Sequence, residues 1–214
     1  MKLVGHLSLK DLKFAEKAIG GMAKEIIQKS IIKSLPRINI KVSLILETAL
    51  ESSDEWRSIL SGRLREEFGL ENPENAVLFI KNAIVGSLKT YSVNIPGSLG
   101  AIRVDILPLE VERQLADSLS YISHGKIGGK IDWLNWLLFS GTSIVVSDAT
   151  FHLFNKQITA SRTGHSLMIQ KKPLGYSVNP EFSGDSSLNW FDKVLIPLGQ
   201  PVLTIMIDEV KRNL

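Results

Sequence analysis

The spacing of the apolar residues changes near residue 90, and this change limits the possible folds more than any other feature of the chain. Before it, apolar residues recur every three or four positions, as they do along one face of an α-helix. After it, apolar and polar residues alternate on both sides of Pro96-Gly97, which predicts a β-hairpin with one solvated face. The alternating apolar residues are Tyr91, Val93 and Ile95 before the turn, and Ile102, Val104 and Ile106 after it.

This pattern predicts an α+β fold, in which N-terminal helices are followed by a mostly antiparallel sheet with a C-terminal helix packed on it. Residues 1–90 form the mainly helical region, and residues 91–214 form the region of strands and further helices. Because 214 residues are close to the size of a single domain, we expect both regions to belong to one continuous domain.

Local signals give the boundaries of the predicted helices. The first helix reaches a kink or a break at Gly20-Gly21, and Pro36 is expected to end it because proline cannot donate the helical hydrogen bond. A second helix is predicted from about Ile38 to Glu51. Ser53 and Pro73 are typical of the starts of two further helices.

Short apolar runs predict more strands in the second half of the chain. Ser143 to Val146 and Phe151 to Phe154 are expected to pair around a turn at Asp148-Ala149, with Leu167 to Ile169 as a third strand. The glycine-rich stretch from His124 to Lys130 predicts a mobile loop. Helices are predicted near Asp132 to Leu138, Ser187 to Ile196 and Val202 to Arg212.

Composition narrows the classes of function. Hydrophobic residues make up 44% of the chain and charged residues 22%, which is typical of a globular core. A net charge of +3 does not favour a protein that reads DNA sequence. The chain has no cysteine, which excludes disulfides and thiolate chemistry. It has no continuous apolar stretch of about 18–20 residues, so we expect a soluble protein made in the cytosol, with no membrane partner.

Motifs of catalysis are absent from the sequence. It contains no phosphate-binding loop, no dinucleotide fingerprint, no His-Glu-x-x-His and no Gly-x-Ser-x-Gly. His152 and His165, with Asp148 and Asp185, leave one alternative open, a small metal-dependent hydrolase or nuclease. No ligand spacing supports that alternative, so we expect no enzyme, no bound metal and no cofactor.

A basic helical face is predicted near the N-terminus. Residues 1–41 carry nine Lys and Arg against three Asp and Glu, a local charge of +6. Lys10, Lys13, Lys17 and Lys24 recur at helical intervals, so they could face DNA in a channel or an acidic neighbouring subunit. The same pattern is typical of a solvated helix face. A cytosolic adaptor domain with a basic helical face is therefore a further alternative.

The stretch from Ser161 to Ser166 concentrates polar groups around Arg162 and Gly164. Arginine, hydroxyl groups and backbone amides at a glycine turn all suit an anion such as phosphate. The alternative is an ordinary loop in which Arg162 pairs with a nearby carboxylate.

Several ordered segments resemble virion structural proteins of tailed bacteriophages, more particularly the neck and tail-completion proteins of long-tailed phages. The resemblance runs from about residue 40 to the C-terminus and depends on short, non-catalytic motifs. These are Leu60-Ser61-Gly62-Arg63-Leu64-Arg65-Glu66-Glu67-Phe68-Gly69-Leu70, Asp132-Trp133-Leu134-Asn135-Trp136-Leu137-Leu138-Phe139-Ser140-Gly141, Ser161-Arg162-Thr163-Gly164-His165-Ser166-Leu167-Met168, Pro180-Glu181-Phe182-Ser183-Gly184 and Asn189-Trp190.

The resemblance implies a subunit of a ring that joins head to tail, as a tail completion or tail terminator protein. The ring would have six or twelve copies and would contact neighbouring neck, portal-adaptor or tail-tube proteins. Genomic DNA would pass through its lumen without sequence recognition. Sheet edges near Ile102 to Ile106 or Ser143 to Val146 could pair with a neighbouring copy. The candidate subunit or channel contacts are Lys10, Lys13, Lys17, Lys24, Arg63, Arg65 and Arg162.

Overall fold

The chain folds into a mixed α+β structure with N-terminal helices, small antiparallel sheets and a C-terminal helix, which confirms the predicted fold class. The fold is taken from a computed structural model. It describes residues 2–3, 20–95, 100–106, 121–124, 129–132, 137–138, 149–159, 161, 163–170, 180–183 and 189–214.

Seven strands and seven α-helices are assigned in these described ranges. The strands are β1 (Lys2–Leu3), β2 (Leu88–Val93), β3 (Ala101–Ile106), β4 (Tyr121–His124), β5 (Gly129–Asp132), β6 (Ala149–Leu153) and β7 (Ser166–Gln170). The helices are α1 (Gly20–Ser52), α2 (Asp54–Ser61), α3 (Arg63–Phe68), α4 (Pro73–Gly86), α5 (Pro180–Ser183), α6 (Trp190–Leu195) and α7 (Gly199–Arg212). A 3-10 turn, Ile196–Leu198, lies between α6 and α7.

The chain divides into two compact units. The first unit comprises Met1–Thr48, Ile84–Pro108 and Leu195–Leu214, and it contains β1, β2, β3, α7 and most of α1. The second unit comprises Ala49–Ala83 and Leu109–Val194, and it contains α2, α3, α5 and strands β4 to β7.

Helix α1 continues through Pro36, so the predicted end of a helix at this residue is wrong. A proline in a helix interior costs roughly 3 kcal/mol. The buried face of α1 offsets this cost, because it continues on both sides of Pro36. Fully burying one large aliphatic side chain stabilises the fold by roughly 1.5–3 kcal/mol. The buried residues of this face are Ile27, Ile31, Ile38, Val42, Leu46 and Leu50.

The first unit contains a three-stranded antiparallel sheet in the order β1-β3-β2. The predicted hairpin is confirmed: β2 and β3 pair from Leu88 opposite Ile106 to Val93 opposite Ala101. Strand β3 is therefore central, and the expectation that residues 102–106 form a sheet edge is wrong for Val104 and Asp105, which also pair with β1.

Gly100 allows the start of β3 to lie close to α1. Its φ is +151°, and a Cβ atom there would lie 2.7 Å from Ile31 Cδ1. With a larger residue there, Ile31 Cδ1 or the start of β3 would have to shift.

Capping residues separate the short helices of the second unit, as the sequence predicts. Ser53 Oγ accepts a hydrogen bond from the Trp56 amide at 3.2 Å and starts α2. Gly62 lies between α2 and α3, where a Cβ atom would approach Ser58 Cα to 2.8 Å. The backbone can therefore turn there only because residue 62 is glycine.

Two hairpins of the second unit differ from the sequence expectations. The loop predicted from His124 to Lys130 begins and ends in strands, because β4 pairs with β5. Strand β6 pairs with β7, His152 lying opposite Leu167, and Ala149 belongs to the strand instead of a turn. The choice of strand partner depends on contacts distant in sequence, which local patterns do not contain. Ser143 to Val146 lie outside the described residues.

One helical stretch in the described part of the chain, Trp190–Arg212, is long and apolar enough to cross a membrane by length and composition alone. Core helices of globular proteins meet the same criterion. Trp190, Val202, Met206 and Val210 of this stretch are buried in the protein, and helix α7 confirms the predicted C-terminal helix.

Candidate subunit interface

The side of α1 that faces away from the core carries a row of exposed apolar residues. Ile32, Pro36, Ile40 and Leu44 are spaced four residues apart, so they form one row along the helix. The side chains of Ile32, Ile40 and Leu44 are 59%, 68% and 62% exposed. We call these four residues the outer stripe.

Cationic residues lie beside the outer stripe. Lys29, Lys33 and Arg37 are exposed on the same side of α1. Lys29 pairs with Glu25 at 2.6 Å, whereas Lys33 and Arg37 have no ion pair with any residue that the structure describes. A row of large apolar side chains next to unpaired cations is typical of a surface that binds a partner.

A groove of about 510 Å³ lies between α1 and β2. Leu35, Pro36 and Asn39 line it from the helix, and residues 88–91 line it from the strand. Asn39 Oδ1 accepts a hydrogen bond from Thr90 Oγ1 at 2.9 Å, which fixes the distance between the two elements. Pro36 has no N–H, so the carbonyl oxygen of Ile32 lacks its usual helical donor. Strand β2 lies at the edge of the sheet that the described strands form.

A buried polar cluster holds α1 against α7 in the first unit. Ser34 Oγ lies 2.9 Å from the carbonyl oxygen of Glu209 and accepts a hydrogen bond from Asn213 Nδ2 at 2.9 Å. Ser30 Oγ donates to the carbonyl oxygen of Asn213 at 2.9 Å. These bonds satisfy carbonyl groups in the last turn of α7, which would otherwise lack donors. These hydrogen bonds to α7 therefore fix α1 in place on the side away from the outer stripe.

Glu209 places a carboxylate inside the same cluster. Its side chain is fully buried, with Oε1 2.6 Å from Lys41 Nζ and 3.0 Å from Arg212 Nη1. The Lys41 ammonium, together with the charges of Arg212 and Arg37, lowers the pKa of Glu209 despite its burial. The carboxylate therefore stays charged and binds cations from both helices.

A second polar group lies on the sheet of the first unit. The buried Asp105 accepts hydrogen bonds from Tyr91 Oη and from Arg103 Nε, at 2.5 and 2.9 Å. The guanidinium of Arg103 lies 5.8 Å from the centre of the Tyr91 ring. The hydrogen bond to the carboxylate raises the pKa of Tyr91, because it stabilises the protonated phenol. This arrangement links β2 to β3.

The structure places the seven predicted contact residues in different settings. Lys24 is exposed in the second turn of α1, and Arg63 forms an ion pair with the buried Glu67. Arg65 is half-buried, and no partner for its buried Nε lies among the described residues. The other four, Lys10, Lys13, Lys17 and Arg162, lie outside the described residues.

The structure brings together two motifs that the sequence analysis treats separately. Thr163 Oγ1 donates to the side chain of Glu66 in α3, and Ser166 Oγ donates to the Glu66 carbonyl oxygen at 2.7 Å. Ser161 Oγ accepts from the amides of Gly164 and Ser166 at 3.0 and 3.1 Å. We call Ser161, Thr163, Ser166 and Glu66 the hydroxyl clamp. A carboxylate already occupies it and would repel phosphate, so the clamp does not support the anion hypothesis.

The histidines of the hydrolase alternative do not form a metal site in the described residues. His152 and His165 are exposed, and no group of three or more potential ligands is found there. His152 lies on β6 opposite Leu167, while the His165 carbonyl oxygen accepts from the Phe154 amide at 2.8 Å. Asp148 and Asp185 lie outside the described residues.

The outer stripe was missed by sequence reasoning, although the sequence contains a signal for it. Ile26, Ile27, Ile31 and Ile32 all fall within the apolar spacing that predicts the first helix. At 100° per residue, however, Ile31 and Ile32 point in different directions, and only Ile31 faces the core. Two apolar rows on one helix predict two contact surfaces.

No family model matches this chain, and no curated protein and no solved structure matches it either. The neck-protein hypothesis therefore depends on the motifs quoted above and on the surfaces of the molecule itself.

Proposed function

We propose that this chain is a structural subunit of a tailed-phage neck, assembling into a ring of six or twelve copies between head and tail. It acts as a tail completion or tail terminator protein in the virion and catalyses no reaction. Neighbouring neck, portal-adaptor or tail-tube proteins bind the ring, and the genomic DNA passes through its lumen.

The outer stripe is the observation that carries this proposal. A row of large apolar side chains exposes apolar surface to water, which does not stabilise a monomer. Burying this surface against another subunit drives association. A ring buries it in every copy, because a heterologous contact repeats until the circle closes. The buried polar cluster behind α1 supports the same role, because a fixed surface loses little entropy on binding.

The cations beside the outer stripe fit a contact with an acidic neighbour or with the DNA channel. A lumen through which DNA moves should bind phosphate weakly, and the net charge of +3 is small. Tight, salt-sensitive DNA binding by the isolated chain would instead favour the adaptor alternative.

Native mass spectrometry and negative-stain electron microscopy of the purified full chain test the proposal. We expect closed rings of six or twelve copies from the unmodified protein. Ile40→Glu should abolish them, because it places a charge in the middle of the apolar contact. Leu153→Glu is the matched control, since Leu153 is similarly exposed, at 54%, but lies on β6 of the second unit. A protein that stays monomeric under all conditions, or an Ile40→Glu variant that still forms rings, would overturn the proposal.

A further inference from the structure

The outer face of α1 has the same spacing of residues on both sides of Ile40. Pro36 lies four residues before Ile40, and Leu44 lies four residues after it. Lys33 and Glu47 lie seven residues away in the same two directions. Since four residues are close to one helical turn and seven are close to two, all of these residues share the face of Ile40. The order of positions on this face is therefore the same from either end.

The charges on this face change sign at Ile40. Lys33, which comes before it, is exposed, and Glu47, which comes after it, is half-buried. Neither side chain has an ion pair with any residue that the structure describes. Both charges are therefore able to bind a partner.

A second pair of charged residues repeats the pattern. Lys29 lies eleven residues before Ile40, and Glu51 lies eleven residues after it, which is about three helical turns. Lys29 pairs with Glu25 at 2.6 Å, and Glu51 pairs with Lys81 at 2.9 Å. Ion pairs at exposed positions contribute little to stability, so a partner can compete for these two charges as well.

These positions match a second copy of α1 that runs in the opposite direction. When Ile40 faces Ile40 of the other copy, Pro36 faces the other Leu44 and Lys33 faces the other Glu47. Two-fold symmetry makes each of these contacts twice, apolar against apolar and cation against carboxylate. A parallel pair would instead place Lys33 against Lys33 and Glu47 against Glu47, and like charges repel. The charges therefore favour the antiparallel direction.

We propose that, before it joins a ring, the chain forms a two-fold dimer in which the outer stripes of two antiparallel α1 helices cover each other. The inference goes beyond the proposed function and does not require it, because it depends on α1 alone. A contact between one helix of each copy is smaller than a standard protein interface of roughly 1,200–2,000 Å². The dimer is therefore weak, and the contacts of a ring, which use the same stripe, can replace it.

Sedimentation equilibrium of the full chain, at concentrations below those at which rings form, measures the dimer. Lys33→Glu and Glu47→Lys should each raise its dissociation constant at least about tenfold, because like charges then face each other. The double variant should return the constant to within about threefold of the unmodified value. An equal mixture of the two single variants should form a mixed dimer, since each supplies the charge that the other needs. This recovery also shows that both variants fold.

Cysteine cross-links test the direction of the helices, because the chain has no native cysteine. Ile40→Cys should oxidise to a two-chain band on a non-reducing gel, since Ile40 lies on the two-fold axis and faces its own copy. Leu44→Cys is the matched control, because Leu44 is similarly exposed and lies one turn away in the same row. In an antiparallel dimer it faces Pro36 of the other copy, too far from the other Leu44 for a disulfide. Equally strong bands from both variants would show parallel helices and would overturn the inference.

The outcomes separate this inference from the proposed function. Rings from a protein that shows no dimer at any lower concentration would overturn the inference and leave the ring in place. A dimer whose dissociation constant is unchanged by the charge reversals would do the same. Dimers that respond as expected, without rings at any concentration, would overturn the proposed function and support this inference.

Discussion

In the first unit, three large apolar side chains in one row of α1 are exposed. Among the described residues of the second unit, the exposed ones, Leu78 and Leu153, stand singly on different elements. Single exposed apolar residues are normal on any protein surface, but a row is not. The polar groups of the second unit also bind each other, since the hydroxyl clamp joins the loop before β7 to α3.

The two units therefore differ in what their side chains do: some stabilise the fold, and others are exposed and able to bind a partner. In the second unit, Arg63, Ser161 and Thr163 are occupied by internal bonds. In the first unit, internal bonds fix α1 from behind, and its outer stripe is left exposed. Substitutions in the two units should therefore change different measurements, stability in one and assembly in the other.

The largest effect on stability should come from Trp190→Ala in the second unit. Trp190 is fully buried, and its Nε1 donates to Ser53 Oγ at 3.1 Å. Removing the indole leaves a cavity, so we expect a loss of about 3–5 kcal/mol in the free energy of unfolding, measured by urea denaturation.

Ile40→Ala in the outer stripe is the control for this comparison. Because Ile40 is exposed, the change should alter the free energy of unfolding by less than about 0.5 kcal/mol. If Ile40→Ala and Trp190→Ala lost the same free energy of unfolding, Ile40 would have to pack inside the protein. The contrast between the two units would then be wrong.

The elements with local signals could be predicted from the sequence. The β2–β3 hairpin follows from alternation around Pro96-Gly97, and Ser53 and Pro73 start helices as expected. Helix α1 could not be predicted, because the local effect of Pro36 is opposed by burial along the whole helix. The partner of β6 could not be predicted either, since pairing with β7 brings distant residues together.

The candidate interface was harder to predict than the fold. The outer stripe is present in the spacing of residues 32, 36, 40 and 44, yet apolar spacing alone does not separate residues that face the core from residues that face solvent. The cluster of Ser34, Lys41 and Glu209 joins two ends of the chain, and no local pattern connects them. The spacing of residues predicts which of them share a face of a helix. It does not predict which other element packs against that face.

A smaller effect is expected for Ser161→Ala in the hydroxyl clamp. The change removes the acceptor of two backbone amides, those of Gly164 and Ser166. Because the loop is half-buried, water can replace part of this bonding. We expect a loss of about 1 kcal/mol in the free energy of unfolding, with rings retained. If Ser161→Ala lost its rings but kept its stability, the hydroxyl clamp would have to contact a neighbouring copy. That result would contradict its role in stabilising the fold of the second unit.

The effect most specific to each unit concerns two buried carboxylates. Glu209 in the first unit has a lowered pKa, chiefly because of the Lys41 ammonium 2.6 Å from its Oε1. Glu55 in the second unit has a raised pKa, chiefly because of burial, although Lys193 Nζ lies 3.0 Å from its Oε1. The cations outweigh burial at Glu209, whereas burial outweighs the single cation at Glu55.

The two shifts predict opposite pH dependences. The stability that Glu209 contributes is present above the ordinary glutamate pKa of 4.5 and is lost as the pH falls through its lowered pKa. The contribution of Glu55 is complete below 4.5 and is lost as the pH rises through its raised pKa. Urea denaturation across the acidic range should therefore show less loss of stability at low pH in Glu209→Gln than in the unmodified protein. Glu55→Gln should show less loss on the rise from pH 4.5, and each variant serves as the control for the other. The same change of profile in both variants would contradict the assignment of opposite shifts, and with it the claim that the cations from α1 and α7 keep Glu209 charged.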